Sequence, residues 1–221
     1  MEPFRISELA QCNSHADFGN SIHLESSITM KHCNQKRCIW PGTDDLMLAY
    51  HDQEWGVPVH DDLKWFEFIV LDAFQAGLSW RTVLHKREAF RKVFKGFDPN
   101  KVARLSEVEM EAAQNNPAII RNRLKIRATV KNASAFLKLQ ENHGTFDAFI
   151  WQFTEGKPIE NRWKTMQDIP ASTPLSDQVS KALKADGFSF VGSTIVYSFL
   201  QAGGIVNDHI VSCFRHRELL A

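Results

Sequence analysis

The sequence predicts an all-α protein, and three observations carry that prediction. Apolar residues recur three and four apart along much of the chain, capping residues stand at the ends of those runs, and no stretch alternates apolar and polar with the period of a strand. In chain order, the first helical period holds Leu63, Phe66, Val70 and Phe74, with Gly77 placed to end it. Ser79 is an N-cap residue for a second helix whose inward face is Trp80, Val83, Leu84, Phe90, Val93 and Phe94. Ser106 and Glu109 have the spacing of a capping box, and Ile126, Val130, Ala133 and Leu137 mark the apolar face of a further helix. Toward the end, residues 181–186 read as helix, Gly187 to Gly192 as a tight turn, and 193–202 as a second helix closed by Gly203 and Gly204.

The chain has 221 residues and is 43% hydrophobic, enough for a core of domain size. Its 26 basic side chains balance 26 acidic ones, so any nucleic-acid surface has to be local. One stretch qualifies: from Arg121 to Lys138 there are six basic residues (Arg121, Arg123, Lys125, Arg127, Lys131 and Lys138) and no acidic one. Phosphate binding and an ordinary solvated helix face both fit it. No apolar run approaches the roughly 18 residues of a membrane span, and no secretory signal opens the chain, so a cytoplasmic location is expected. Cys12, Cys33, Cys38 and Cys213 are too scattered for a disulfide framework, which leaves metal binding or inert thiols. Residues 1–36 are polar and aperiodic and are expected to form a disordered extension, with Met30 as an alternative start; 37–216 make the folded domain and 217–221 a tail.

Several local patterns suggest chemistry. In the turn Gly187-Phe-Ser-Phe-Val-Gly192 the backbone around Gly187, Val191 and Gly192 suits a DNA phosphate, although an ordinary αα-hairpin explains the same residues. His209 and Cys213 are spaced i, i+4, so a helix would aim both at one metal, and Cys38 with His51 completes a closed Cys₂His₂ set. A buried thiol beside a core histidine is the alternative. Tyr50 directly precedes His51, Trp55 sits in Glu-Trp-Gly-Val-Pro, and Trp80 follows Gln-Ala-Gly-Leu-Ser, so aromatics gather near the candidate ligands. Asp72 has Phe68 and Ile69 one turn before it, a setting that desolvates a carboxylate; core packing and a pairing with arginine are the plainer readings. Leu78, between two helices, is placed to act as a wedge in DNA.

The order Cys38…Ala-Tyr-His51-Asp-x-Glu-Trp-Gly-Val-Pro58…Gln-Ala-Gly-Leu-Ser-Trp80…Ile-Ile-Arg121-x-Arg…Gly187-Phe-x-Phe-Val-Gly192…Val-Asn-Asp-His209-x-x-x-Cys213 closely resembles the 3-methyladenine DNA glycosylase I family, over roughly residues 37–214. The resemblance implies two helical lobes of the helix-hairpin-helix superfamily with a base pocket between them. It implies one structural zinc on Cys38, His51, His209 and Cys213, and pocket aromatics at Tyr50, Trp55 and Trp80. The implied activity is hydrolysis of the N-glycosidic bond of 3-methyladenine in double-stranded DNA, with the free base as product and a monomer as the working form. The family's pocket carboxylate is a glutamate, so Asp72 is one methylene shorter, about 1.5 Å of reach. Asn207 stands where many superfamily members carry a catalytic aspartate, and Thr194 where a lyase would have its lysine, so a monofunctional enzyme is expected. A non-catalytic zinc-stabilised DNA-binding module and a zinc hydrolase are the rival classes; Asp72 with Trp80 argues against the first, and four ligands against the second.

Overall fold

The computed structural model describes residues 35–220, so the extension expected over 1–36 and the alternative start at Met30 fall almost wholly outside the described residues. Helix α1 (Asp45–Gln53) starts where the Asp44 carboxylate accepts hydrogen bonds from the backbone N–H groups of Leu46 and Met47. Helix α2 (Asp62–Gln75) starts the same way at Asp61, and every residue from Trp65 to Phe74 is buried. A helix covered on all sides is the centre of its fold, and this one carries the polar Glu67 and Asp72 inside with it. Leu63, expected on the inward face, lies in the first turn outside that cover and is half exposed.

The single helix expected after Ser79 is two. Helix α3 (Trp80–Leu84) has the Ser79 cap, and α4 (Arg87–Val93) follows after a break at His85 and Lys86. The break has tertiary causes. His85 pairs with Asp44, Lys86 donates to the carbonyls of Pro117 and Ala118, and α4 is tilted so that Phe90 and Phe94 pack on Phe74. Short α5 (Pro99–Val102) leads to α6 (Glu107–Asn115), whose capping box joins Ser106 and Glu109 as expected.

Helix α7 (Arg123–His143) is longer than its sequence signal and turned about its axis relative to the expected face. Val130 and Leu137 are only partly covered, while Lys125, Thr129 and Asn132 are buried beside Ile126, Ala133 and Phe136. Lys125 Nζ donates to the carbonyls of Phe74 (2.9 Å) and Ala76 (2.6 Å), so this lysine closes the C-terminus of α2 and does not belong to a basic surface.

After α8 (Phe146–Trp151), helix α9 (Pro174–Ala185) begins well before residue 181. Thr173 and Ser176 form its capping box and Pro174 opens it, a start signal that apolar periodicity alone does not reveal. Helix α10 (Ser193–Ala202) matches its expected span. The turn between the two is pinned to α7: Asn132 donates to Ser189 O (2.9 Å) and accepts from Ser189 N–H (2.8 Å). At the end of α10 the backbone passes so close to α2 that a Cβ on Gly203 would lie 2.0 Å from the Trp65 ring. A two-residue parallel pairing of Ile159–Glu160 with Val206–Asn207 departs from the all-helical expectation, and two residues are too short to show alternation. The last helix, α11 (Phe214–Glu218), runs into the segment expected to be a tail. No helix among the described residues is long and apolar enough to cross a membrane.

Candidate functional site

Two features meet at Trp55: a cluster of cysteine and histidine side chains and a cavity. Cys38, His51, His209 and Cys213 are all buried, and one ligand atom from each lies within 4.8 Å of the others. Cys213 Sγ is 3.5 Å from both His51 Nε2 and His209 Nδ1, and Cys38 Sγ is 3.8 Å from His209 Nδ1. The outer nitrogens are held as well. His51 Nδ1 is 2.7 Å from Asp52 Oδ1, and His209 Nε2 is 3.0 Å from Trp55 O, which turns the other nitrogen of each ring toward the cluster. Burial depresses His209 and so favours the neutral ring that a ligand needs. A hydrogen bond from the Cys38 thiol, followed by the histidine contacts, holds Cys213 far below the ordinary thiol range.

The helix expected to carry His209 and Cys213 does not exist. The chain there is a turn in which Cys213 N–H reaches Ile210 O at 2.7 Å, and helix begins only at Phe214. The backbone donors are drawn elsewhere: His209 N–H bonds Asn207 Oδ1, and Val211 N–H bonds Trp163 O. The ligands converge because the loop doubles back, not because of helical period.

The cavity, of about 730 Å³, is lined by the expected Tyr50, Trp55, Asp72 and Trp80, and also by Trp40, Tyr197 and Gln201. Asp72 is 3% exposed, and its Oδ2 has no hydrogen-bond partner among the described residues. The indole N–H groups of Trp40 and Trp80 are buried without partners too. Burial alone pushes the Asp72 carboxyl well above the usual carboxylate range. Tyr50 and Trp80 stand with ring centroids 5.0 Å apart, and Trp55 bridges the two features, 5.2 Å from Trp40 and 4.6 Å from His209. Orphaned polar atoms gathered around one cavity mark a place where a ligand completes the hydrogen bonding. Aromatic rings and a carboxyl lining one cavity suit a flat ring that carries N–H donors or positive charge.

The remaining expected residues belong to separate elements. Leu78 is exposed in the loop from α2 to α3, and Arg121 and Arg123 are exposed at the start of α7. Gly187 adopts φ 91° in the turn, and Gly192 precedes α10 as its N-cap. Val191, expected at the DNA surface, buries its side chain, and its carbonyl accepts from Ser180 at 2.6 Å. Arg127 is engaged by Glu107, while Lys131 reaches Ser189 in the turn. Asn207 donates to His216 O and so fastens the ligand loop; Thr194 lines the cavity. The sequence reading missed Trp40, Tyr197 and Gln201. Trp40 lies two residues past Cys38, the same cue that singled out Tyr50 beside His51, whereas Tyr197 and Gln201 look like ordinary helix positions.

Residues 40–216 match the family model described as methyladenine glycosylase. The chain is similar to DNA-3-methyladenine glycosylase 1 of Escherichia coli (strain K12), 51% identical over 178 residues that cover 80% of this chain and 95% of that protein. It is similar in structure to a crystal structure of 3-methyladenine DNA glycosylase I, with a TM-score of 0.79, 50% identity, and coverage of 81% of this chain and 98% of the other. A structure of the Staphylococcus aureus 3-methyladenine DNA glycosylase I that concerns 3-methyladenine recognition matches with a TM-score of 0.78 at 35% identity, covering 80% of this chain and 95% of the other.

Proposed function

The chain belongs to the methyladenine glycosylase family, and from that premise we propose that it is a base-excision repair enzyme that hydrolyses the N-glycosidic bond of 3-methyladenine in alkylated double-stranded DNA. The observation that carries this reading is the partnerless Asp72 Oδ2, buried beside a cavity that Tyr50 and Trp80 also line.

Methylation at N3 makes adenine a cation and a good leaving group, so the protein has mainly to extrude the base and hold it. Extrusion costs a few kcal/mol and each aromatic stacking contact returns about 1–3 kcal/mol, with more from indole faces toward a cationic ring. Asp72 accepts from the donor edge of adenine, which guanine replaces with an acceptor carbonyl. Its shorter side chain leaves space that a bridging water fills. Water then attacks the sugar carbon, and the electron pair of the C–N bond leaves with the base. Thr194 offers no amine, so the strand is left intact at an abasic site.

The turn around Gly187, Val191 and Gly192 acts as the hairpin of a helix-hairpin-helix element, its backbone N–H groups on a phosphate; Arg121 and Arg123 add charge, and Leu78 fills the gap left by the base. The two helical lobes of the superfamily flank the cavity, and a monomer acts on cytoplasmic DNA. Cys38, His51, His209 and Cys213 hold one zinc. A tetrahedron built on bonds of about 2.0–2.3 Å has ligand-to-ligand edges of about 3.3–3.8 Å, and the contacts of 3.5 and 3.8 Å fall in that range. Four protein ligands leave no open position, so such a metal supplies a cross-link and no Lewis-acid chemistry.

The test is chromatography of bases released from alkylated duplex DNA. The expected product is 3-methyladenine, with an abasic strand that stays whole. No released base from a cooperatively folded protein would overturn the reading, and a borohydride-trapped adduct would overturn its monofunctional part.

A further inference from the structure

One buried carboxylate has no role so far. Asp208 is 1% exposed and is ringed by four neutral donors. Its Oδ1 accepts from Asn161 Nδ2 and Trp163 Nε1, both at 2.7 Å, and its Oδ2 from Tyr197 OH at 2.5 Å and Gln201 Nε2 at 2.7 Å. Tyr197 and Gln201 lie one turn apart on α10, and both line the same cavity as the partnerless Asp72. We infer that Asp208 is a positioning residue that sets the polarity of the cavity wall formed by Tyr197 and Gln201, committing the O–H of Tyr197 and the NH₂ of Gln201 to itself so that both present acceptors to the ligand. The inference rests on the base-binding reading above and names what that site selects: a cationic, donor-bearing base.

The chemistry follows from the donor and acceptor inventory. A carboxylate only accepts, so the hydroxyl must point its proton, and the amide its nitrogen, at Asp208. What each group has left is a phenolic lone pair and a carbonyl oxygen. Burial, then the bond to Asp208 and its charge, keeps the Tyr197 hydroxyl protonated. The described partners of Asp208 are all neutral donors, and a cationic base in the cavity is the complement of a wall that presents acceptors.

Asp208→Asn inverts this wall without removing a hydrogen bond. Trp163 Nε1 can only donate, so the amide oxygen must stay on the Asn161 and Trp163 side, and the new NH₂ faces Tyr197 and Gln201. The hydroxyl rotates, the Gln201 amide flips, and both turn donors toward the ligand. The variant should lose roughly 10- to 150-fold in kcat for 3-methyladenine excision and in affinity for the free base. Its Tm and its affinity for undamaged duplex should stay near wild type. In a Tyr197→Phe, Gln201→Met background, Asp208→Asn should change kcat less than about twofold, because the groups it acts through are gone. Independent, additive losses, or kcat and Tm falling together, would overturn the inference. Should Asp208→Asn not fold, Gln201→Met alone decides: a kcat loss at unchanged Tm supports the wall, and unchanged kcat sinks it. If the wild type releases no methylated base, it is the glycosylase reading that fails. Side-chain amide NMR then judges Asp208 separately, with Gln201 NH₂ protons protected in the wild type and exchanging in Asp208→Asn; equal exchange in both overturns it.

Discussion

Asp72 shows what a single buried side chain can be asked to do. Water would stabilise its charged form, and the described protein offers its Oδ2 no substitute, so burial raises its pKa. The sign of the linkage follows. A carboxyl whose folded value lies above its unfolded value binds a proton on folding, so its full contribution to stability is present below the ordinary carboxylate range and is lost as pH rises through the folded value. Asparagine carries no such dependence. Thermal melts from about pH 4 to 9 should therefore show Asp72→Asn gaining on the wild type as pH rises, and a difference in Tm that ignores pH would mean Asp72 is ionised at no cost. Excision should move the other way. Losing the acceptor charge should slow single-turnover release by roughly 10- to 150-fold. Greater stability with lower activity in one substitution separates a ligand-binding carboxyl from a structural one.

Between elements, a cluster of ion pairs joins the end of α1, α2 and the first turn of α4. Arg87 donates both terminal nitrogens to Glu54 at 2.8 Å and Nε to Glu67 at 2.8 Å, while Lys64 and Arg91 complete the neutralisation of Glu67, which is 4% exposed. The break before α4 brings Arg87 to this place, so the interrupted helix and the ion cluster are one feature. Burial alone would raise the Glu54 carboxyl, but the bonds and charges of Arg87 and Lys64 together outweigh it and hold it at about 2. Stability from this depressed carboxyl is present above the ordinary carboxylate range and is lost as pH falls toward about 2. Arg87→Met leaves Glu67 buried with only Lys64 and Arg91 as partners, at an expected cost of about 1.5–3 kcal/mol. Acid titration followed by circular dichroism should show the variant unfolding at a higher pH than the wild type, and a matching acid midpoint would mean the cluster is decorative. Glu54 directly precedes the cavity residue Trp55, so loosening at the cavity should accompany the loss.

Across the whole molecule, the Cys38, His51, His209 and Cys213 cluster joins positions far apart in sequence, and a metal there closes a long loop. Freshly purified protein should carry about one zinc per chain. Chelation should lower the Tm, because a ligand of the native state alone stabilises it by mass action. The Cys38→Ala, His209→Ala double variant should bind none, and metal content unchanged by that pair would remove the cluster from the account. Since Trp55 packs on His209 and lines the cavity, the chelated protein should also bind free 3-methyladenine more weakly.

The sequence by itself determined what local physics controls. The Ser79 cap, the Ser106 and Glu109 box and the limits of α10 are written in neighbouring residues, because a cap or a glycine stop acts within one turn. The ligand set and the pocket residues Tyr50, Trp55, Asp72 and Trp80 were legible from an ordered set of motifs, and the structure brings each group together. Tertiary structure decided what depends on a partner distant in the chain. The face that α7 buries, the use of Lys125 to close α2, the break at His85 and the non-helical turn from His209 to Cys213 each follow from a backbone or carboxylate elsewhere. Asp208 is the clearest case: it stands in the motif beside His209, but nothing in the sequence assigns it a partner, and only folding converges four donors on it. Hydrogen-bond partners of buried polar groups are chosen by proximity in space, which a period of three or four residues does not encode.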